Sequence, residues 1–143
     1  MRLHRLRLSH VEAIDLQPSQ AALRDQLSGA VIQGLVRSRA IAIVDGADVL
    51  VCAGLARRWP GRTVGWALLS HKIRPNRFLA VHRLIAAALD RAEMRDPGRI
   101  EVQIDPSHAA ALRWARLLGF EVEGRMCRYL PDGRDMILMA RVS

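Results

Sequence analysis

Arg113-Trp114-Ala115-Arg116-Leu117-Leu118-Gly119-Phe120 is the stretch that decides the fold of this 143-residue chain. Ahead of it, Pro106-Ser107 opens a helix, because Pro is tolerated in a first helical turn and Ser can cap. Gly119 ends that helix, as glycine does at the left-handed position after a C-terminus. Phe120 then begins a strand.

The elements on either side follow from pattern. Residues 120–130 and 134–142 read as two strands about the turn Leu130-Pro131-Asp132-Gly133, where Gly supplies positive φ. Upstream, Arg99–Ile104 alternates as Arg-Ile-Glu-Val-Gln-Ile, a strand with Ile100, Val102 and Ile104 on one face. Asp96-Pro97-Gly98 stops a helix over residues 76–94, with Phe78, Val81, Ile85, Leu89 and Ala92 along one side. Residues 63–70 form a continuous apolar run, the pattern of a central strand covered on both faces. Residues 57–62 read as a polar loop, and residues 39–44 and 48–55 as a hairpin across Asp45-Gly46. Ala22, Leu23, Leu27, Ala30, Val31, Leu35 and Val36 predict one helix from Pro18-Ser19 to about Arg37, and residues 11–16 read as a first strand. This order predicts an α/β (α+β) fold: a single domain over residues 1–143, with one mixed central sheet and helices on both faces.

Composition narrows the function classes. Half of the residues are hydrophobic, enough to build a core without a disulfide or metal staple. Cys52 and Cys127 form no Cys-x-x-Cys pair, and the five histidines make no ligand spacing with them, so no metal site is expected and both thiols read as buried or half-buried. No apolar run approaches the ~20 residues that span a bilayer. The basic N-terminus, Met1 to Arg7, lacks the apolar stretch of a secretory signal, which predicts an intracellular protein. Net charge is +8, and Lys72 is the one lysine among 22 basic residues. That bias fits either GC-rich codon usage or an anionic partner. No helix-turn-helix, zinc-finger or aromatic-basic strand motif appears, so nucleic acid is a minor alternative. Trp66 and Trp114 read as core, Trp59 in its Arg-Arg-Trp-Pro loop as an interaction residue, and Met126, Met136 and Met139 of the terminal hairpin as core packing, with a shared partner-binding face as the alternative.

The element order and the segment from His108 to Gly124 resemble the GNAT acyltransferase superfamily, many of whose chains carry a helix reading Asn-x-x-Ala-x-x-Leu-Tyr-x-x-x-Gly-Phe before a strand. Ala111, Gly119 and Phe120 match, and the likeness covers roughly residues 39–142. Residues 113–124, with Arg128-Tyr129 and Pro131-Asp132-Gly133-Arg134-Asp135, are also similar to a phage-encoded GNAT-like group that includes small internal virion proteins.

The resemblance implies acetyl-CoA as cofactor, with its pyrophosphate on the loop entering the long helix through a Gln/Arg-x-x-Gly-x-Gly/Ala motif. Free N–H groups at a helix start attract phosphate, and glycine lets the backbone approach. The motif falls on Asn76-Arg77-Phe78-Leu79-Ala80-Val81, so Leu79 and Val81 replace both glycines. Arg74, Asn76 and Arg77, with Trp66 and Leu68 on the preceding strand, are the cofactor-binding candidates. His71, Lys72, Arg74 and Arg77 otherwise read as a solvated basic loop. The position of the family's tyrosine acid is Ala115, and that of its asparagine is His108. Residues 63–70 offer no carboxylate, which leaves Glu101, His71 and His108 as catalytic candidates. Alternation puts Glu101 opposite Ile100, where a solvated carboxylate is the plainer expectation. Tyr129, the one tyrosine, reads as packing or surface.

Two functions remain. One is a phage-encoded protein with a degenerate acyl-CoA site, a virion or assembly component meeting other virion proteins or its own copies, in the host cytoplasm or the particle. The other is an N-acetyltransferase moving acetyl from acetyl-CoA directly to an amine.

Overall fold

The computed structural model describes residues 1–27 and 29–143, and the side chains of all these but Ala22, Asp25 and Gln26. The strands are β1 (Arg2–Arg5), β2 (Arg39–Asp45), β3 (Asp48–Trp59), β4 (Arg62–Leu69), β5 (Arg99–Ile104), β6 (Glu121–Met126) and β7 (Met136–Val142). The α-helices are α1 (Leu8–Ala13), α2 (Gly29–Arg37), α3 (Pro75–Arg95) and α4 (Ala109–Leu117), with a 3-10 helix over Pro18–Gln26. One mixed seven-stranded sheet runs β1-β2-β3-β4-β5-β7-β6, the α/β architecture expected. Two compact units make up the chain: Met1–Ala56 with Trp66–Leu84, and Arg57–Gly65 with Ile85–Ser143.

In the first unit, the β2–β3 hairpin closes Asp45 onto Asp48 through Gly46, whose φ is +61°. Even-numbered β2 residues Ala40 and Ala42 join Cys52 and Leu68 in a core with Leu6, Val11 and Ile14, and α2 adds Ile32 and Val36. The N-terminal segment departs from the expected pattern. Residues 11–16 are not a strand: Val11 lies in α1, and β1 comes earlier. The single expected helix over 18–37 is two pieces, of which Ser28 and the Ala22 side chain lie outside the described residues. Tertiary bonds override local pattern here. Arg24 donates to the Val11 carbonyl at 2.7 Å and to that of Ile14, holding the end of a helix too short to persist alone.

Gly54 on β3 lies directly beneath the Trp66 indole; a Cβ there would stand 2.7 Å from its Nε1 and 2.8 Å from two ring carbons. Gly54→Ala should cost about 2 kcal/mol by overpacking. A thermal melt checks it, and an unchanged midpoint would mean that the indole has room to slide.

In the second unit, β5 and β7 pair antiparallel from Arg99↔Val142 to Ile104↔Ile137, and β6 adds to β7 with a bulge between Val122 and Gly124. Gly119 has φ +90°, and the Phe120 amide bonds back to the Ala115 carbonyl at 3.0 Å, closing α4 as its sequence predicts. Met139 is fully buried, whereas Met126 and Met136 are cross-strand partners. Met136 and Met139 are an odd number of residues apart, so they project to opposite faces, and the alternative of one shared methionine face does not form. Arg141 gathers α3 and α4 by bonding Glu93, Asp90 and the Leu118 carbonyl.

Candidate functional site

A phosphate cradle at a helix start depends on unused backbone amides. Helix α3 begins at Pro75, four residues before Leu79. The amides of Leu79 and Val81 therefore fall inside the helical ladder. Pro75 has no N–H, and the amides of Arg77 and Phe78 both donate to the Arg74 carbonyl, at 2.8 and 3.0 Å. Asn76 is left as the first-turn amide without a backbone acceptor among the described residues. Val81 is fully buried, and Leu79 is 54% exposed on the helix surface.

The basic loop is largely neutralised from within the unit. Arg77 pairs with Asp45 at 3.2 Å and Asp48 at 3.1 Å. Lys72 pairs with Asp48 at 2.9 Å and Asp15 at 3.7 Å, and His71 lies 3.4 Å from Asp15. Hydrogen bonds from Lys72 and Arg77 hold the Asp48 carboxyl below its ordinary value, and the bond to Asp48, then its charge, raises the Lys72 ammonium in turn. Arg74 is exposed and has no carboxylate partner among the described residues. The structure thus brings Arg74, Asn76 and Arg77 together at one helix start, with Arg77 already engaged. The hairpin residues Asp45 and Asp48 gave no sign in sequence that they would close on this loop.

The edge of β4 is the second part of the site. β4 pairs in parallel with β5 at Arg62, Thr63 and Val64. Further along, the Ser70 amide bonds Leu50 of β3 at 2.9 Å, so by alternation the N–H and C=O of Leu69 and the C=O of Ala67 point away from β3. All three are taken by the chain itself. Gln20 donates through Nε2 to the Ala67 carbonyl at 2.9 Å and accepts from the Leu69 amide at 2.7 Å. The Gln17 amide donates to the Leu69 carbonyl at 2.9 Å, and Leu16 bridges Ser70. Sequence reasoning missed Gln17 and Gln20, since glutamine on a helical segment ordinarily faces water.

Trp66 and Leu68 project from β4 into the first unit's core, Leu68 buried and Trp66 packed against the cluster. Among described side chains, the buried Trp66 Nε1 is an atom without a hydrogen-bond partner. Cys52 is buried in the same core, and burial pushes its thiol up to about 12, so it is inert. Cys127, expected to be at least half-buried, is exposed in the terminal hairpin.

The remaining candidates lie in the second unit. Glu101 is not a solvated carboxylate: it is 4% exposed. Arg62 Nε and Arg99 Nε each donate to it at 2.9 Å. The Arg62 bond, and then that of Arg99, hold its carboxyl below its ordinary value against a burial effect that would raise it. A carboxylate clamped this way is a poor proton acceptor near neutral pH. His108 stands at the N-cap position of α4, half-buried, its amide donating to the Asp105 carbonyl at 3.0 Å. Ala115 is 6% exposed and packs in the interior, where it has no proton to offer. Tyr129 is exposed, and its hydroxyl accepts from Gln103 at 3.0 Å. Trp59 is exposed with the Arg62 guanidinium 4.5 Å above its ring.

Solved structures share this architecture at low identity. Ard1 from Thermoplasma volcanium aligns with a TM-score of 0.81 at 14% identity, over 99% of this chain and 96% of its own. The fold is that of the GNAT acetyltransferases. An IAA acetyltransferase from Bacillus cereus gives 0.71 at 19% identity, over 98% and 97%. A Bacillus subtilis acetyltransferase in complex with CoA gives 0.69 at 13%, over 99% and 97%. No family model and no curated protein matches the chain. Leu79 and Val81, where the sequence resemblance would place the motif's glycines, lie inside a formed helix, and Ala115, where it would place the acid, is packed. No helix among the described residues is long and apolar enough to cross a membrane.

Proposed function

We propose that this chain is a GNAT-fold protein with a degenerate acyl-CoA site, serving as a binding or assembly component instead of transferring acyl groups. The observation that carries this reading is the occupied edge of β4. An extended ligand with amide groups, such as the pantetheine arm of CoA, would add to a free strand edge through main-chain hydrogen bonds. Here Gln17 and Gln20 hold those groups. Three further features support the reading: the helix formed through the phosphate motif, the clamped Glu101, and Ala115 in place of an acid. The likeness of residues 113–135 to the phage-encoded group supplies the proposed setting, a virion or its assembly in the host cytoplasm.

The second reading is direct acetyl transfer to an amine. The CoA complex of the Bacillus subtilis structure favours it. Orientation alone can contribute about 7–11 kcal/mol to such a reaction, so a missing acid does not by itself abolish it. Arg74, Asn76 and Arg77 would then hold the phosphates. Calorimetric titration with acetyl-CoA separates the two. The wild type should give no saturable heat at millimolar ligand, and heat that appears in Gln20→Ala alone, where the Ala67 carbonyl and Leu69 amide are freed, would show that the filled edge is what excludes the ligand. Micromolar binding by the wild type, lost in Arg74→Ala/Arg77→Ala, would establish the second reading.

A further inference from the structure

The chain treats its arginines in two ways. Arg57, Arg62, Arg77, Arg99, Arg125, Arg134 and Arg141 each meet a carboxylate. Others meet none among the described residues, and Arg5, Arg7, Arg37 and Arg39, all exposed, are among these. These four also converge. β1 pairs with β2 in a register that sets Arg5 opposite Ile41, and the Leu6 amide continues it onto the Ala40 carbonyl at 3.0 Å. Extending that register by one step would set Arg7, the extended residue before α1, opposite Arg39. Arg5 and Arg7 are two residues apart on extended chain and share a sheet face with Arg39, while Arg37 ends α2 just before it. Like charges directly opposite on a ladder destabilise it. No carboxylate among the described residues of the first unit relieves this pair, although the same unit neutralises Arg77 twice over. The positive field is felt locally: His10 is held below its ordinary value first by burial, then by His4 and Arg7.

We infer that this corner, Arg5, Arg7, Arg37 and Arg39 along the β1 edge, binds the phosphodiester backbone of a single-stranded nucleic acid. Arg5 and Arg7 are about 6.7 Å apart along the extended chain, with Arg39 on the neighbouring strand and Arg37 at the end of α2 beside it. Guanidinium forks grip phosphate oxygens in pairs, which makes arginine the better choice over lysine. The site offers charge without base-reading groups, so recognition is independent of sequence. A bilayer surface would call for an amphipathic helix with a broad apolar face; α1 has six residues. This site is separate from the β4 edge and does not depend on the acyl-CoA reading.

Fluorescence anisotropy with a labelled oligothymidylate, repeated between 50 and 200 mM salt, tests the inference. Four phosphate contacts predict a log–log salt slope of about −3. Arg5→Gln/Arg7→Gln/Arg39→Gln should bring the slope to about −1 and weaken binding about tenfold or more at the lowest salt. Arg91→Gln/Arg95→Gln/Arg116→Gln removes the same charge from exposed helix positions and should bind like the wild type. Arg5→Glu, at an exposed edge position, provides the same readout should the triple variant melt. Equal losses in both triple variants would overturn the inference in favour of diffuse net charge. Absence of binding at 50 mM salt, or binding to phosphatidylserine vesicles but not to the oligonucleotide, would overturn it outright.

Discussion

Gly98→Ala is expected to lower the melting temperature by about 12 °C, the largest single loss in the second unit. Two penalties combine. Gly98 has φ +142°, a conformation that L side chains rarely adopt. A Cβ there would also stand 2.4 Å from the Gly61 carbonyl oxygen and 2.6 Å from its Cα, both backbone atoms that cannot rotate away. Strain of about 2 kcal/mol and a clash of similar size give about 4 kcal/mol together. The position matters because much is fastened there. The Arg99 amide donates to the Gly61 carbonyl at 2.8 Å, which starts the parallel pairing of β4 with β5. The Ser143 amide donates to the Gly98 carbonyl at 2.8 Å, tying down the end of β7. Gly46→Ala is the control: its φ is +61°, and nothing lies within 4 Å of the added Cβ, so strain alone should cost about 1 kcal/mol. Equal midpoint shifts in the two variants, measured by thermal melts, would show that the Gly61 contact is dispensable.

The contrast between these two glycines also marks how far sequence could see. Asp45-Gly46 announces a hairpin turn, and Gly119 a helix end, because each answers to its immediate neighbours. Gly98 reads locally as a helix stop after Asp96-Pro97. Its contact with Gly61 joins segments 37 residues apart in a chain of 143, beyond any local pattern. The same limit explains the N-terminal segment. β2, β4 and β5 carry long apolar or alternating runs and were legible to within a residue or two. α1 has no acidic residue in its first turn and only six residues, and it is held by Arg24 from a later element.

The candidate site divides along the same line. Leu79, Val81 and Ala115 could be named from sequence because they are substitutions at positions a resemblance defines. That Gln20 fills the β4 edge, and that Asp45 and Asp48 neutralise Arg77, are facts of folding. On the proposed reading they turn a weakened motif into an occupied surface. A GNAT fold supplies a scaffold on which chemistry is a matter of particular side chains. Here those side chains have been drawn into the scaffold's own bonding.

Glu101 is the sharpest instance, and its replacement should be felt most at neutral pH. Glu101→Gln keeps the shape but removes the charge that Arg62 and Arg99 share. Hydrogen bonds to charged groups each stabilise by about 1.5–3 kcal/mol, so the variant should lose about 3 kcal/mol at pH 7. The sign with pH follows from the direction of the shift. The folded protein holds this carboxyl below its ordinary value near 4.5. The unfolded chain therefore takes up the proton first, and the stabilisation is fully present above that value. It fades as pH falls from there through the folded carboxyl's own lower value. The gap in melting temperature between wild type and Glu101→Gln should be widest at pH 7 and close steadily on the acid side. A general base would behave otherwise, since a group poised to accept a proton near neutral pH gains little from being locked as an anion. Melting curves of the two proteins from pH 7 to about pH 3 decide the matter. A gap that stays constant over that range, or that is absent at pH 7, would mean that the two arginines hold Glu101 without stabilising the fold through its charge.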